Sequence, residues 1–169
     1  MNLESYIRTV PDFPKKGISY KDITPLLQSP EALDFCIKSF TENIDANIDM
    51  VVGIESRGYF LATLLAKHFR AGFVPIRKKG KLPYKTLQES YDLEYGKDQL
   101  EIHEDAIKAG QKVLIHDDVL ATGGTAQAAC NLVERLGGEI VQCNFLIELS
   151  FLEGRSKLKG KSIHSLLSY

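Results

Sequence analysis

At 169 residues the chain has the length of one domain, taking roughly 100–200 residues per domain. Its 44% hydrophobic and 25% charged content excludes long disorder. With 21 basic against 22 acidic residues, a net charge of −1, no global field draws nucleic acid or an anionic membrane. No apolar run reaches the roughly 18–20 residues needed to span a bilayer. The opening residues, MNLESYIRTVPDF, carry acidic and polar groups where a signal peptide needs an apolar core. Cys36, Cys130 and Cys143 are too few and odd in number for a disulfide framework, and none forms a CxxC pair. These features predict a single-domain cytoplasmic protein with reduced thiols packed as small hydrophobes.

Pro11, Pro14 and Gly17 punctuate the first segment and predict irregular chain. Ser29-Pro30-Glu31 then starts a helix, with Ser29 as N-cap and Pro30 in the first turn. Ala32, Leu33, Cys36, Ile37, Phe40 and Ile44 give it an apolar stripe. Residues 50–54 read as a buried strand leading through Glu55-Ser56-Arg57-Gly58 into a helix over 59–69, and 72–76 as a further strand. Residues 77–99 are polar and aperiodic, with five basic residues within 77–85, Arg77, Lys78, Lys79, Lys81 and Lys85, and a weak alternation over 84–95 that permits a hairpin. A helical turn near 104–108, a strand over 112–116, a loop over 117–123 and a helix over 124–136 follow. Gly137-Gly138 stops that helix, and 139–149 returns as a strand. This alternation predicts an α/β fold, a mainly parallel twisted sheet with helices on both faces. The loops after Ile54, Ile76, His116 and Leu149 then share the rim at which such sheets bind ligands.

The most informative segment is the apolar strand ending in Asp117-Asp118, followed by Val119-Leu120-Ala121-Thr122-Gly123-Gly124-Thr125. A glycine loop opening a helix presents unpaired N–H groups and a positive dipole end, which suit a phosphate. Asp117 and Asp118 repel a phosphate and instead accept hydrogen bonds from hydroxyls or hold a cation. A ribose 5-phosphate satisfies both halves. His116 beside them is either a satisfied, partly buried histidine or a titrating neighbour of Asp117.

This segment resembles the phosphoribosyl pyrophosphate (PRPP) signature of type I phosphoribosyltransferases, in the version carried by the adenine-specific branch of that family. Pro11-Asp12-Phe13-Pro14 with Gly17, Glu55-Ser56-Arg57-Gly58, the run Arg77 to Pro83, and Tyr91-Asp92-Leu93-Glu94-Tyr95-Gly96-Lys97 agree in the same order, so that the resemblance spans roughly residues 11–150. It implies the type I phosphoribosyltransferase fold with a base-binding hood (residues 1–28) and a flexible lid (residues 78–99). The implied reaction transfers the 5-phosphoribosyl group from PRPP to adenine, giving AMP and pyrophosphate, with Mg²⁺ held by the pyrophosphate and, through water, by Asp117 or Asp118. A homodimer is implied, with no nucleic acid or membrane partner.

By the same resemblance, Asp117 and Asp118 hold the ribose hydroxyls while Ala121, Thr122, Gly123, Gly124 and Thr125 cradle the 5-phosphate. Arg57, Arg77, Lys78, Lys81 and Tyr95 attend the pyrophosphate. Glu94 is nominated for acid/base assistance at the purine, and Ile18, Tyr20, Lys21 and Leu149 for the adenine. The family usually carries an apolar residue at the Ser19 position and Arg at the Lys21 position. A sister enzyme using another purine, and a regulator that binds PRPP without catalysis, are the alternatives these residues leave open. Gly160-Lys161-Ser162 lacks the Walker A spacing, no GxGxxG or GxSxG is present, and His103-Glu104 does not extend to HExxH.

Overall fold

After a 3-10 turn at Leu3–Tyr6, the chain pairs β1 (Arg8–Pro11) with β2 (Ser19–Asp22) as an antiparallel hairpin where the prolines predict irregular chain. Pro14 and Gly17 fall in the connection, where Asp12 and Gly17 adopt φ of 57° and 90° and the Asp12 carboxylate accepts from the Gly17 N–H at 2.6 Å. The helical turn α1 (Thr24–Leu27) leads to α2 (Pro30–Thr41), capped by the Ser29 hydroxyl accepting from the Ala32 N–H at 3.2 Å. Then come β3 (Met50–Ile54), α3 (Gly58–Phe69), β4 (Gly72–Lys78), β5 (Thr86–Asp92), β6 (Lys97–His103), β7 (Lys112–Leu120), α4 (Gly124–Arg135), β8 (Glu139–Glu148) and β9 (Ile163–Ser168). This computed structural model describes residues 1–92 and 97–169.

Strands β4, β3, β7, β8 and β9 run parallel in that order, and the hairpin β6–β5 continues the sheet antiparallel beyond β4. Helix α4 covers one face, on Val52, Ile54, Val113, Ile115 and Phe145. The other face carries α2 and α3, whose Phe40, Leu61 and Leu65 meet Val51, Leu114 and Leu146. Gly137 and Gly138 end α4 as the sequence predicts: their N–H groups reach the Glu134 and Val133 carbonyls at 2.9 and 3.0 Å, and Gly137 takes φ 85°. Among the described residues no helix is long and apolar enough to cross a membrane.

Two further expectations are corrected. Strand β7 runs on through Asp117 and Asp118 to Leu120, because β8 is as long and keeps pairing as far as Leu120↔Glu148. Residues 104–108 form a tight turn closed by the Ala106 N–H on His103 O at 3.1 Å rather than a helical turn. The hairpin that the weak alternation over 84–95 permits is present as the antiparallel pair β5–β6, with Leu87 and Tyr91 turned inward on the α4 core. Arg135 and Asn131 of α4 also bond the Glu89 carboxylate, each at 2.8 Å.

His116, Asn144 and His164 stand in register across β7, β8 and β9, under the Phe40 ring. His116 and Asn144 are fully buried, and their side-chain nitrogens and oxygen have no partner among the described residues. His116 is therefore not the satisfied histidine the sequence allows. It is not a titrating neighbour at neutral pH either, because burial pushes its pKa down to about 3. The unfolded chain takes up this proton below about 6.5 while the folded chain resists until about 3. Stability present above pH 6.5 is thus lost as pH falls toward 3, at roughly 1.4 kcal/mol per pH unit. His116→Leu should be neutral or mildly stabilising at pH 7.5, and its advantage over the parent should grow at pH 6 and 5 in urea unfolding. A pH-independent difference would contradict this account.

Candidate active site

Helix α4 begins without a side-chain cap on Gly123, which takes φ 80°. Its first N–H groups are open to an anion, with the helix dipole behind them. Ala121, Thr122, Gly123 and Thr125 line a 60 Å³ pocket at this terminus, together with Asp117. The loop is held from behind by Gly154, at the start of the 3-10 turn Gly154–Lys157. A Cβ on Gly154 would overlap the Ala121 carbonyl, and one on Gly123 would overlap the Gly154 carbonyl. Nothing in the local sequence signals Gly154, because its partner lies about thirty residues earlier.

Asp117 lines both this pocket and a 590 Å³ cavity, which Asp118 also lines with Tyr20, Glu55, Ser56, Arg57, Lys78 and Tyr91. Asp118 is 5% exposed, and its Oδ2 lies 2.9 Å from Arg57 Nε. Burial, then the Asp118 charge, pushes the Asp117 carboxyl well above the usual carboxylate range. Burial also raises Asp118, with the Arg57 charge opposing it. Gly58 permits the approach of α3: a Cβ there would sit 2.8 Å from Asp117 Oδ1. Arg57 further donates to the Tyr20 hydroxyl at 2.5 Å, with its guanidinium 5.0 Å from that ring's centroid. The preceding Glu55–Ser56 peptide is cis.

Of the basic run, Lys78 reaches the cavity and pairs with Asp98 at 3.0 Å. Arg77 and Lys81 instead converge on Glu55, which also accepts from the Lys78 N–H at 2.8 Å. Burial raises the Glu55 pKa, but Lys81, the Lys78 N–H and Arg77 outweigh it and the net shift is downward. Glu101, 2% exposed, clamps the next residues by accepting from the Lys81 and Leu82 N–H groups at 2.9 and 2.8 Å. Sequence reasoning missed both glutamates, since a carboxylate that binds backbone N–H groups has no spacing signature. Lys79 and Lys85 are exposed. Glu94 and Tyr95 lie outside the described residues.

At the other end of the cavity, Ile18, Tyr20, Lys21 and Leu149 come together around a 120 Å³ pocket, with Ser19, Arg57 and Val119. Tyr20 packs edge-on against Phe13 at 5.1 Å. Lys21 turns to the Tyr169 ring, 4.0 Å from its centroid, and to Thr9 Oγ1 at 3.2 Å. The three spaces connect: the anion pocket and the cavity share Asp117, Val119, Ala121 and Thr125, and the cavity and the aromatic pocket share Tyr20, Arg57 and Val119. Among the described residues no three His, Cys, Asp or Glu side chains gather as a metal-holding group.

The family described as "Phosphoribosyl transferase domain" matches residues 19–164. The chain is 65% identical to an adenine phosphoribosyltransferase of Christiangramia forsetii, over 100% of this chain and 99% of that protein. It is similar to the crystal structure of the Rhodothermus marinus adenine phosphoribosyltransferase, with a TM-score of 0.95 and 58% identity, covering 99% of this chain and 96% of the other. The Saccharomyces cerevisiae enzyme, solved in complex with an imino-altritol bisphosphate and adenine, matches with a TM-score of 0.91 and 41% identity over 95% and 94% of the two chains.

The packing of Gly154 under the anion pocket makes a direct contrast available. Gly154→Ala should cost about 1–3 kcal/mol of stability and weaken ribose 5-phosphate binding by roughly tenfold, read by calorimetry. Gly160→Ala, at φ 78° with open space around it, should cost about 1–2 kcal/mol and leave binding unchanged. Equal binding losses in the two variants would contradict a specific role for Gly154.

Proposed function

The chain belongs to the adenine phosphoribosyltransferase family and transfers the 5-phosphoribosyl group of PRPP to adenine, and we propose that the three connected spaces divide the substrates between them. The observation that carries this division is their order: anion pocket, acid-lined cavity, aromatic pocket. The 5-phosphate takes the open N-terminus of α4 at Ala121, Thr122, Gly123, Gly124 and Thr125. Asp117 and Asp118 accept hydrogen bonds from the ribose hydroxyls, which their burial beside this cavity strengthens. Adenine lies in the pocket of Ile18, Tyr20, Lys21 and Leu149, with Tyr20 offering a ring face to stack on.

As the bond to pyrophosphate weakens, positive charge grows on the ribose ring and negative charge on the leaving group. Asp117 and Asp118 sit where the first is stabilised. Arg57 and Lys78 answer the second, with Arg77 and Lys81 joining when the Glu55 cluster loosens. Mg²⁺ fits this site as a partner of diphosphate and water oxygens, with the Asp117 or Asp118 carboxylate as a hard outer ligand, and when bound it neutralises charge on the leaving group. In this reading residues 78–99 act as a lid that excludes water, residues 1–28 as the hood over the base, and Glu94 and Tyr95 complete the site. We assign Glu94 the proton transfer at the purine. The protein works in the cytoplasm, which suits its three buried free thiols. It works as a homodimer, for which the outward Phe60 and Leu64 of α3, 49% and 37% exposed, offer an apolar face.

Competition among adenine, hypoxanthine and guanine for limiting PRPP tests the base assignment; adenine should dominate, and faster hypoxanthine or guanine turnover would overturn it. Glu94→Gln should slow single-turnover transfer by roughly 10²–10⁴-fold with PRPP binding intact. An unchanged single-turnover rate would remove Glu94 from the chemistry.

A further inference from the structure

The loop at the open end of α4 rests on Gly154, which has no side chain with which to hold itself there. Its neighbour supplies the grip. Strand β8 ends at Glu148, paired with Leu120 at the end of β7, and the chain then makes the 3-10 turns Ser150–Leu152 and Gly154–Lys157. From the second turn Arg155 doubles back, and its Nε and Nη2 donate to the two oxygens of the Glu148 carboxylate at 2.6 and 2.7 Å. The same guanidinium lies 3.5 Å from the Ile163 carbonyl and from the Ser165 hydroxyl of β9. Glu148 is 7% exposed, and the hydrogen bonds from Arg155 hold its carboxyl below its ordinary value. Two parallel charged bonds fix direction as well as distance, whereas the point charge of a lysine would fix distance alone. Farther along, Leu158 is buried in the core with Leu120 and Ala126. The turn is thus fastened at two points just beyond the glycine that underlies Ala121 and Gly123.

We propose that Arg155 is a positioning residue for the transfer: its fork on Glu148 sets the height of the Gly154 turn, and that turn sets the loop on which the 5-phosphate of PRPP is seated. The inference rests on the reading that the α4 terminus takes the 5-phosphate. Neither Arg155 nor Glu148 lines the anion pocket, the acid-lined cavity or the aromatic pocket, so the pair acts through the backbone rather than on the ligand. Open N–H groups bind an anion well only when several aim at it together, which requires a loop held to within about 0.5 Å. The contact leaves no slack, since a Cβ on Gly154 would meet both the Ala121 carbonyl and the Leu120 side chain. A turn that rises pushes the loop, and one that sinks leaves it unsupported. Other elements hold the rest of the site. Arg57 orders Asp118 from the start of α3, and the Leu149 N–H keeps its own bond to the Leu120 carbonyl at 2.9 Å. Loss of the fork therefore weakens binding of the phosphate end and spares the base and the chemistry.

The test reads steady-state constants for PRPP and adenine separately, with ribose 5-phosphate affinity measured by calorimetry. Arg155→Met keeps the aliphatic stem and removes the fork. It should raise the KM for PRPP and the Kd for ribose 5-phosphate by roughly tenfold each. Its kcat and its KM for adenine should stay within about twofold of the parent. Glu148→Gln should behave alike, and the double variant should be no weaker than the weaker single, because both changes remove one pair. Lys157→Met removes the same charge from an exposed position in the same turn and should leave every constant unchanged. A loss there equal to that of Arg155→Met would make the effect one of general charge and overturn the proposal. Equal losses for PRPP and adenine, or additive losses in the double variant, would also overturn it. Thr125→Val, inside the anion pocket, separates the two readings. Weaker ribose 5-phosphate binding in Thr125→Val with none in Arg155→Met would overturn the positioning role alone. No change in either variant would overturn the phosphate reading as well.

Discussion

The ion pair between Arg57 and the buried Asp118 is the interaction on which the site depends. Burial of Asp118, 5% exposed, raises its carboxyl, and the 2.9 Å approach of Arg57 opposes that rise. The same arginine reaches the Tyr20 hydroxyl, so a single side chain joins the acid pair to the wall of the aromatic pocket. Gly58 lets the N-terminus of α3 close on Asp117, where its positive end faces the carboxylates. Helix α4 aims its own N-terminus at the anion pocket from the other side. In the proposed reading, the two helix termini flank one substrate, the first beside the acid pair and the second at the phosphate.

A net charge of −1 conceals this separation. Glu55 gathers Arg77 and Lys81, and Glu101 pins the backbone that carries Lys81 and Leu82. Cationic side chains are thereby stored beside the cavity rather than spread into solvent.

Much of this was legible in the sequence because it depends on local chemistry. The Ser29 cap, the Gly137-Gly138 stop, the buried run at residues 50–54 and the strand–acid–glycine–helix order each act over a few neighbouring residues. What escaped reading depends on partners distant in the chain. The β1–β2 hairpin is short and carries its prolines in the loop and at a strand end. Strand β9 joins parallel to β8 after 3-10 turns alone, with no helical period to announce a crossover. Strand β7 continues past its apolar run only because β8 supports it. Glu55, Glu101 and Gly154 act on backbone groups that sequence spacing does not reveal.

The central claim is that the acid pair reads ribose while the α4 terminus reads phosphate. Calorimetric affinities of ribose 5-phosphate and inorganic phosphate for the parent and Asp118→Asn test it most directly. Loss of one or two charge-assisted hydrogen bonds should weaken ribose 5-phosphate by roughly tenfold to a hundredfold. Inorganic phosphate should bind about as well as before, or more tightly, since a nearby negative charge is gone. Equal weakening of both ligands, or none of either, would contradict the division of labour.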